Sequence, residues 1–412
     1  MQVQTSSAHL LGNSPYRWIV ATVLFPLQVA MGINMFGPTP LFPDIIDHYG
    51  ISRSAVSILI VAVNVVLTAF LIPGGVIASR LGTRKAAAIS GLLMSIGVLV
   101  VVAPNFWAIV GARLVFGAGA GILLPATTAI ATEWFGQKER PLMVGLSLAG
   151  QGLGVAIGMF VSVPLADALG GWQAVLALYG AIGLLGTAAW LFLGKASPIS
   201  TTPVSAFSIS QVVEVFREKN AILLSLAGVG PFAVFVAFAT WLPTYYHEAR
   251  NMPLEQASSL VAMVPVMGII INPISGVLMA KLGRRKPILW ATGLLLPVTA
   301  MGAVLLPNTY LLAASIVVMG ICFWLFNPTL FTIPTELPGV SAEKVPLVTA
   351  AALTAGNLAT VFSPLLVGVM ADAMGGSYVP SLVLLSLTPL LILIPAAFLP
   401  ETGPKAARPH KD

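Results

Sequence analysis

The stretch Gly75-Val-Ile-Ala-Ser-Arg80-Leu-Gly82-Thr-Arg84-Lys85 returns 201 residues later as Gly276-Val-Leu-Met-Ala-Lys281-Leu-Gly283-Arg-Arg285-Lys286. In each copy an apolar run stops at a glycine flanked by cations, and another apolar run begins at once. Two further echoes accompany it. Leu165-Ala-Asp167-Ala-Leu-Gly-Gly171 recurs as Met370-Ala-Asp372-Ala-Met-Gly-Gly376 at a shift of 205, and Ala149-Gly-Gln151 as Ala355-Gly-Asn357 at a shift of 206. A slowly drifting offset is what duplication followed by small loop insertions leaves behind. The chain therefore reads as two related halves.

Outward from these repeats, apolar stretches long enough to cross a bilayer alternate with short polar breaks. Their expected limits are 17–40, 54–79, 86–103, 107–132, 141–168 and 173–193, then 221–246, 256–280, 287–306, 309–335, 346–373 and 378–399. Of the 412 residues 57% are hydrophobic and only 8% charged, with a mean hydropathy of +0.95. Soluble domains carry charge on roughly a quarter of their residues, so lipid must solvate most of this surface. The expected fold is an all-α integral membrane protein, twelve transmembrane helices in two pseudo-symmetric six-helix bundles. Six spans per copy keep both copies in one orientation, related by an axis along the membrane normal. The domains expected are 1–194, a cytoplasmic linker 195–220, and 221–412. The linker runs through Ser197, Pro198, Ser200 and Pro203 to Glu214, Arg217, Glu218 and Lys219, a pattern that suits a short amphipathic surface helix.

A net charge of +6 would suggest nucleic acid in a soluble protein. Here the cations gather at span ends instead. With the N-terminus cytoplasmic, all of the 20 Lys and Arg residues except Arg53, Arg113 and Arg250 fall on the inner side. Both termini are then cytoplasmic, in the plasma membrane of a bacterium or archaeon. The partners expected are membrane lipid and a small-molecule substrate, with no nucleic acid and a monomeric chain. The lone Cys322 reads as a small buried hydrophobe, and no Cys or His spacing suits a metal or another cofactor. Paired intramembrane carboxylates and a Gly-x-Ser-x-Gly turn are both missing, which argues against an enzyme.

Gly75 to Lys85 resembles the loop signature of the major facilitator superfamily, and Arg113-Leu-Val-Phe-Gly117-Ala-Gly119-Ala-Gly121 is similar to that family's second motif. The resemblance extends over essentially the whole chain. It implies alternating access, in which two bundles rock about a central site near the midplane. One position departs from the pattern. Where the family has an Asp in the loop motif, this sequence has Ser79, and Ala280 in the second copy. In the family that Asp joins a charge network holding the cytoplasmic gate closed. Without it Arg80, Arg84 and Lys85 need other partners, for which Glu133 and Glu139 are candidates. Gly75, Gly82, Gly276, Lys281, Gly283 and Arg285 complete the expected gating set. Alternatively these cations only fix topology and meet anionic headgroups.

The glycines of spans 4 and 5 are expected at close helix crossings. Pro38, Pro40, Pro73, Pro265, Pro273, Pro328 and Pro364 are expected to bend helices and leave carbonyls unpaired.

All 14 acidic residues can be placed outside the hydrocarbon core, which leaves Arg113 as the ionisable group well inside a span. An uncompensated cation there costs at least ~2.5 kcal/mol. Neighbouring backbone carbonyls and polar side chains, cavity water or an anionic substrate must compensate it. The candidate solute contacts are therefore Arg113 with the amides Gln28, Asn34, Asn64, Gln151, Asn272, Asn327 and Asn357, and the aromatics Tyr245 and Trp324. Each amide singly also suits helix packing. Phe235, Phe238, Trp241 and Tyr245 fall three to four residues apart and share a face, either a cavity wall or ordinary packing.

The expected function is transport of a small organic or inorganic anion by uniport, exchange or symport with the proton riding on the substrate. The alternative within transport is proton-coupled efflux of amphipathic drugs. Such exporters tend to carry a Gly-Pro pair in span 5, whereas this chain has Gly150-Gln-Gly152-Leu-Gly154-Val-Ala-Ile-Gly158. A membrane sensor on a carrier fold is the alternative from another class.

Overall fold

The computed structural model describes residues 15–136, 139–196, 218–338 and 345–406. Most of the expected linker, with its amphipathic helix, lies outside the described residues. Twelve helices are long and apolar enough to cross a membrane. They are α1 (Tyr16–Tyr49), α2 (Arg53–Leu81), α3 (Thr83–Val102), α4 (Phe106–Trp134), α5 (Leu142–Leu169) and α6 (Trp172–Leu193). The second set is α7 (Lys219–Arg250), α8 (Leu254–Leu282), α9 (Lys286–Leu305), α10 (Thr309–Glu336), α11 (Val348–Ala373) and α12 (Val379–Phe398). No strand occurs among the described residues.

The helices form two compact units. One comprises Met1–Gly50 and Ile58–Ala206, the other Ile51–Ser57 and Phe207–Asp412. The first turn of α2 thus belongs with the second unit, and the remainder of that helix with the first.

Local chemistry sets the helix limits. The side chain of Asn105 caps α4 by accepting from the Ala108 amide at 3.0 Å, and Asn308 caps α10 by accepting from Tyr310 and Leu311. Proline shapes α1, which is regular only to Phe36; Gly37 and Pro38 lead into a 3-10 turn at Thr39–Leu41. Pro73, Pro265, Pro273, Pro328 and Pro364 stand inside continuous helices.

In the first unit α1 lies along α5 and α6, and α3 along α4. The first of these crossings needs glycine: a Cβ on Gly154 would stand 2.1 Å from the Val29 carbonyl oxygen. The core there is made by Leu24, Leu27, Met31, Phe116 and Trp190. In the second unit α7 lies along α11, and α8 and α9 along α10. Leu224, Phe326, Leu330, Val348 and Ile392 fill that core. Cys322 is buried and free, as its apolar surroundings led us to expect.

Candidate functional site

Pro38 explains the position of Arg113. A proline nitrogen cannot donate, so the carbonyl of Asn34, four residues earlier, loses its helical partner. The guanidinium of Arg113 reaches across from α4 and donates Nη1 to that oxygen at 2.5 Å. Nη2 donates to the Met35 carbonyl and Nε to the Leu59 carbonyl of α2, each at 3.0 Å. Phe116 lies 5.1 Å below the guanidinium carbon. Each bond between a charged donor and a carbonyl contributes about 1.5–3 kcal/mol. Three of them outweigh the roughly 2.5–3.5 kcal/mol charged for a cation at mid-span. Arg113 is 7% exposed, and every one of its nitrogens has a backbone acceptor. Of the three kinds of partner expected for this cation, neighbouring backbone carbonyls are the ones that engage it, as a clasp between helices.

The amides divide between the halves. In the first unit Gln28 donates to the Thr127 hydroxyl at 2.7 Å, and Asn34 to the carbonyls of Ala30 and Tyr179. Asn64 donates to Ile60. All three are at most 6% exposed. Gln151 is half-buried, with the Met35 sulfur at 4.0 Å as its one, weak partner among the described residues. In the second unit Asn272, Asn327 and Asn357 are also half-buried, and none of their side chains is hydrogen-bonded among the described residues. An amide facing lipid unpaired costs about 2–7 kcal/mol. These three side chains therefore call for a watered face.

The aromatic face separates into two groups. Phe235 stacks on Phe323 with centroids 4.4 Å apart and planes inclined by 8°, and meets Trp324 edge-on at 5.9 Å. Trp324 donates its indole N–H to the Val264 carbonyl at 2.8 Å. Phe238, Trp241 and Tyr245 are buried instead. Tyr245 and Tyr246 donate to the Val304 and Ala303 carbonyls, and Arg250 donates to Val304 and Leu306. Together they cap the C-terminus of α9, where a cation and donors satisfy orphan carbonyls. Tyr245 is thus a capping group, and Trp324 a member of the ring stack with Phe235 and Phe323.

The loop motifs differ between their copies. In the first, Arg84 donates to the Leu191 carbonyl at the end of α6, Thr83 donates to Glu133 at 2.7 Å, and Glu139 pairs with Arg17 at 2.9 Å. The expected hold of Glu139 on the loop cations is replaced by this pairing with the start of α1. In the second, Arg285 clamps both oxygens of Glu336 at 2.9 and 2.7 Å and donates to the Met279 carbonyl. Glu401 accepts the backbone N–H groups of Arg285 and Lys286, and the Lys405 ammonium donates to the Lys281 carbonyl. Gly82 and Gly283 take positive φ of 84° and 64°, which a Cβ would strain. A Cβ on Gly75 would make ordinary contact with Pro125 at 3.9 Å, and one on Gly276 would meet none of the described residues within 4 Å. Lys85 and Arg80 are exposed.

One cluster went unread in the sequence. The carboxylate of Asp372 accepts the N–H groups of Arg53 and Ser54, capping the start of α2. The Arg53 side chain donates to Tyr378 and Glu248, both at 2.6 Å, and Tyr378 donates to Glu248. Burial, with the Glu248 charge beside it, raises the Tyr378 phenol above its ordinary pKa, which keeps that donor protonated. The available signal was Asp372 itself, the repeat partner of Asp167.

Comparison with known proteins follows the same lines. The chain is 25% identical over 370 residues to "Probable sulfoacetate transporter SauU" of Cupriavidus necator, covering 83% of this chain and 84% of that one. It is 24% identical over 339 residues to "Probable anion transporter 4, chloroplastic" of Arabidopsis thaliana, covering 74% of this chain and 62% of that one. The crystal structure of a bacterial homologue of the human lysosomal transporter Spinster, inward-facing and occupied, matches with a TM-score of 0.78 at 17% identity, over 94% of this chain and 97% of that one. That likeness concerns the fold alone. The Major Facilitator Superfamily model matches residues 24–342, and this multi-pass membrane protein of twelve helices belongs to that family of secondary transporters.

Proposed function

We propose that the protein carries a small organic or inorganic anion by alternating access, as a monomer in the plasma membrane with both termini cytoplasmic, without cofactor and without covalent chemistry. The charge inventory carries this reading. Among the described residues every carboxylate in a span lies within about five residues of a helix end, while the cation Arg113 stands buried in α4, in the second turn after Phe106. Among the described residues an anion then meets no fixed negative group between the span ends, and a buried positive charge lowers its electrostatic barrier even when the donors are engaged elsewhere. A cationic drug would find no counter-charge at that depth. The names of the two relatives point the same way. Midspan carboxylates and histidines that would relay a proton are missing, which favours uniport, exchange or symport in which the proton rides on the substrate.

The test is uptake in proteoliposomes of labelled two-carbon sulfonate and carboxylate anions, with nitrate and a cationic amphipathic dye beside them. The expected result is anion accumulation at least about tenfold above protein-free vesicles. Expulsion of the dye driven by a proton gradient, with no anion flux, would replace this reading with drug efflux.

A further inference from the structure

Resting on the anion reading, we infer that Asn272, Asn327 and Asn357, with the ring shelf of Phe235, Phe323 and Trp324, form a solute-binding half-site within the second unit. Its ligand class is a small organic anion, an oxyanion head on a short carbon body.

Helix register places these groups together. Where α8 meets α10, Gly320 faces Val264 and Met267, and Gly268 faces the Trp324 ring. Residues 56 apart are therefore level, which sets Asn272 beside Pro328 and hence next to Asn327. Where α7 meets α11, Gly228 faces Ala352 and Gly356 faces Phe232. Residues 124 apart are level there, so Asn357 directly follows the glycine against which Phe232 packs. Phe232 in turn meets Phe323 edge-on at 5.9 Å, and the shelf continues through Phe235 to Trp324. A continuous run of rings thus leads from the neighbour of Asn357 to a residue one turn before Asn327. The three amides stand nine to ten residues from the helix ends at Leu282, Glu336 and Val348. At 1.5 Å per residue that is about 14–15 Å, one common depth.

Chemistry then selects the ligand. Each amide offers two N–H donors, and none of the three is committed to another of the described residues. Uncommitted donors at one depth suit the oxygens of a sulfonate or carboxylate head. The rings offer no hydrogen bond to a head, but cover a carbon body and hold it out of water. The Trp324 indole is fixed by its bond to Val264, so the shelf is preorganised. The head is held by neutral dipoles, which separates this half-site from one built around a paired cation.

The experiment uses the full chain in proteoliposomes and compares a two-carbon sulfonate, a two-carbon carboxylate and inorganic sulfate. Asn327→Asp is nearly isosteric and puts a negative charge where the head would rest. Uptake of both organic anions is expected to fall about a hundredfold, with unchanged elution on size exclusion. Asn272→Ala and Asn357→Ala should each raise KM about tenfold while kcat changes less than twofold. Trp324→Ala should abolish the preference of the wild type for organic anions over sulfate. Should the wild type transport the anions while all three asparagine variants keep KM within twofold, the half-site is refuted and the anion reading stands. Should the wild type transport no anion, the anion reading fails, and the half-site with it.

Discussion

In the first half Gln28, Asn34 and Asn64 each bond to a neighbouring helix or back to their own, whereas in the second half the side chains of Asn272, Asn327 and Asn357 have no hydrogen-bond partner among the described residues. Charged groups show the opposite trend. Arg285 of the second half clamps a carboxylate with both arms of its fork, while Arg84, its repeat equivalent, touches one helix-end carbonyl. The matched amides Gln151 and Asn357 stay alike, both half-buried without a strong protein partner among the described residues, whereas the matched pair Arg84 and Arg285 diverged. One half is stitched through amides that have no counterpart in the other, and the other half through a loop cation. Equal positions in a repeat are therefore poor guides to equal roles.

The sharpest way to break this contrast is to remove the two arginines in turn. Arg285→Ala leaves Glu336 unpaired in a partly buried site and should lower unfolding free energy in mixed micelles by about 3 kcal/mol, the lower edge for a broken buried pair because Glu336 keeps some solvent access. Arg84→Ala should leave the unfolding midpoint unchanged. Similar losses in both would restore symmetry to the loops.

A smaller loss is expected at Arg113. Lysine keeps the charge but presents a single ammonium to three carbonyls that diverge from α1 and α2. Arg113→Lys should cost about 2 kcal/mol by the same measurement, with KM for the anion unchanged. A raised KM at full stability would show that the guanidinium touches the solute and would turn the comparison between the halves around.

The smallest effect concerns the matched aspartates. Asp372 caps α2, whereas Asp167 is exposed. Loss of such a cap costs about 1 kcal/mol. Hydrogen exchange at residues 53–57 should accelerate about fivefold in Asp372→Ala, and Asp167→Ala should change no amide. Equal responses would dissolve the distinction.

Fold class was legible because lipid imposes a simple rule: spans must be long, apolar and helical. The twelve helices agree with the apolar stretches, and the repeats at Gly75 and Gly276 mark corresponding turns. Side-chain roles were legible only where the cause is local. Pro38 orphans a carbonyl by covalent structure, so an unpaired carbonyl in this stretch was legible in the sequence. Which donor would arrive depends on the crossing of α4, a tertiary fact. Likewise Asn34 and Asn327 look alike in sequence, because whether an amide folds back on its own helix depends on the neighbours packed around it. Arg53, Glu248 and Tyr378 lie 130 to 325 residues apart along the chain, beyond any local pattern. Burial likewise pulled Phe238, Trp241 and Tyr245 away from Phe235, although spacing alone aligned all four.

The missing rung at Pro38 has a mechanical consequence. An ordinary helix resists bending because its own ladder runs unbroken, but α1 is braced at this level from outside, by a splint anchored on α4. The stiffness of α1 is consequently a property of its neighbour. Any displacement that draws α4 away by more than the reach of a hydrogen bond would soften α1 at Gly37 and Pro38, while a shift that keeps the splint in place would carry both helices as one beam.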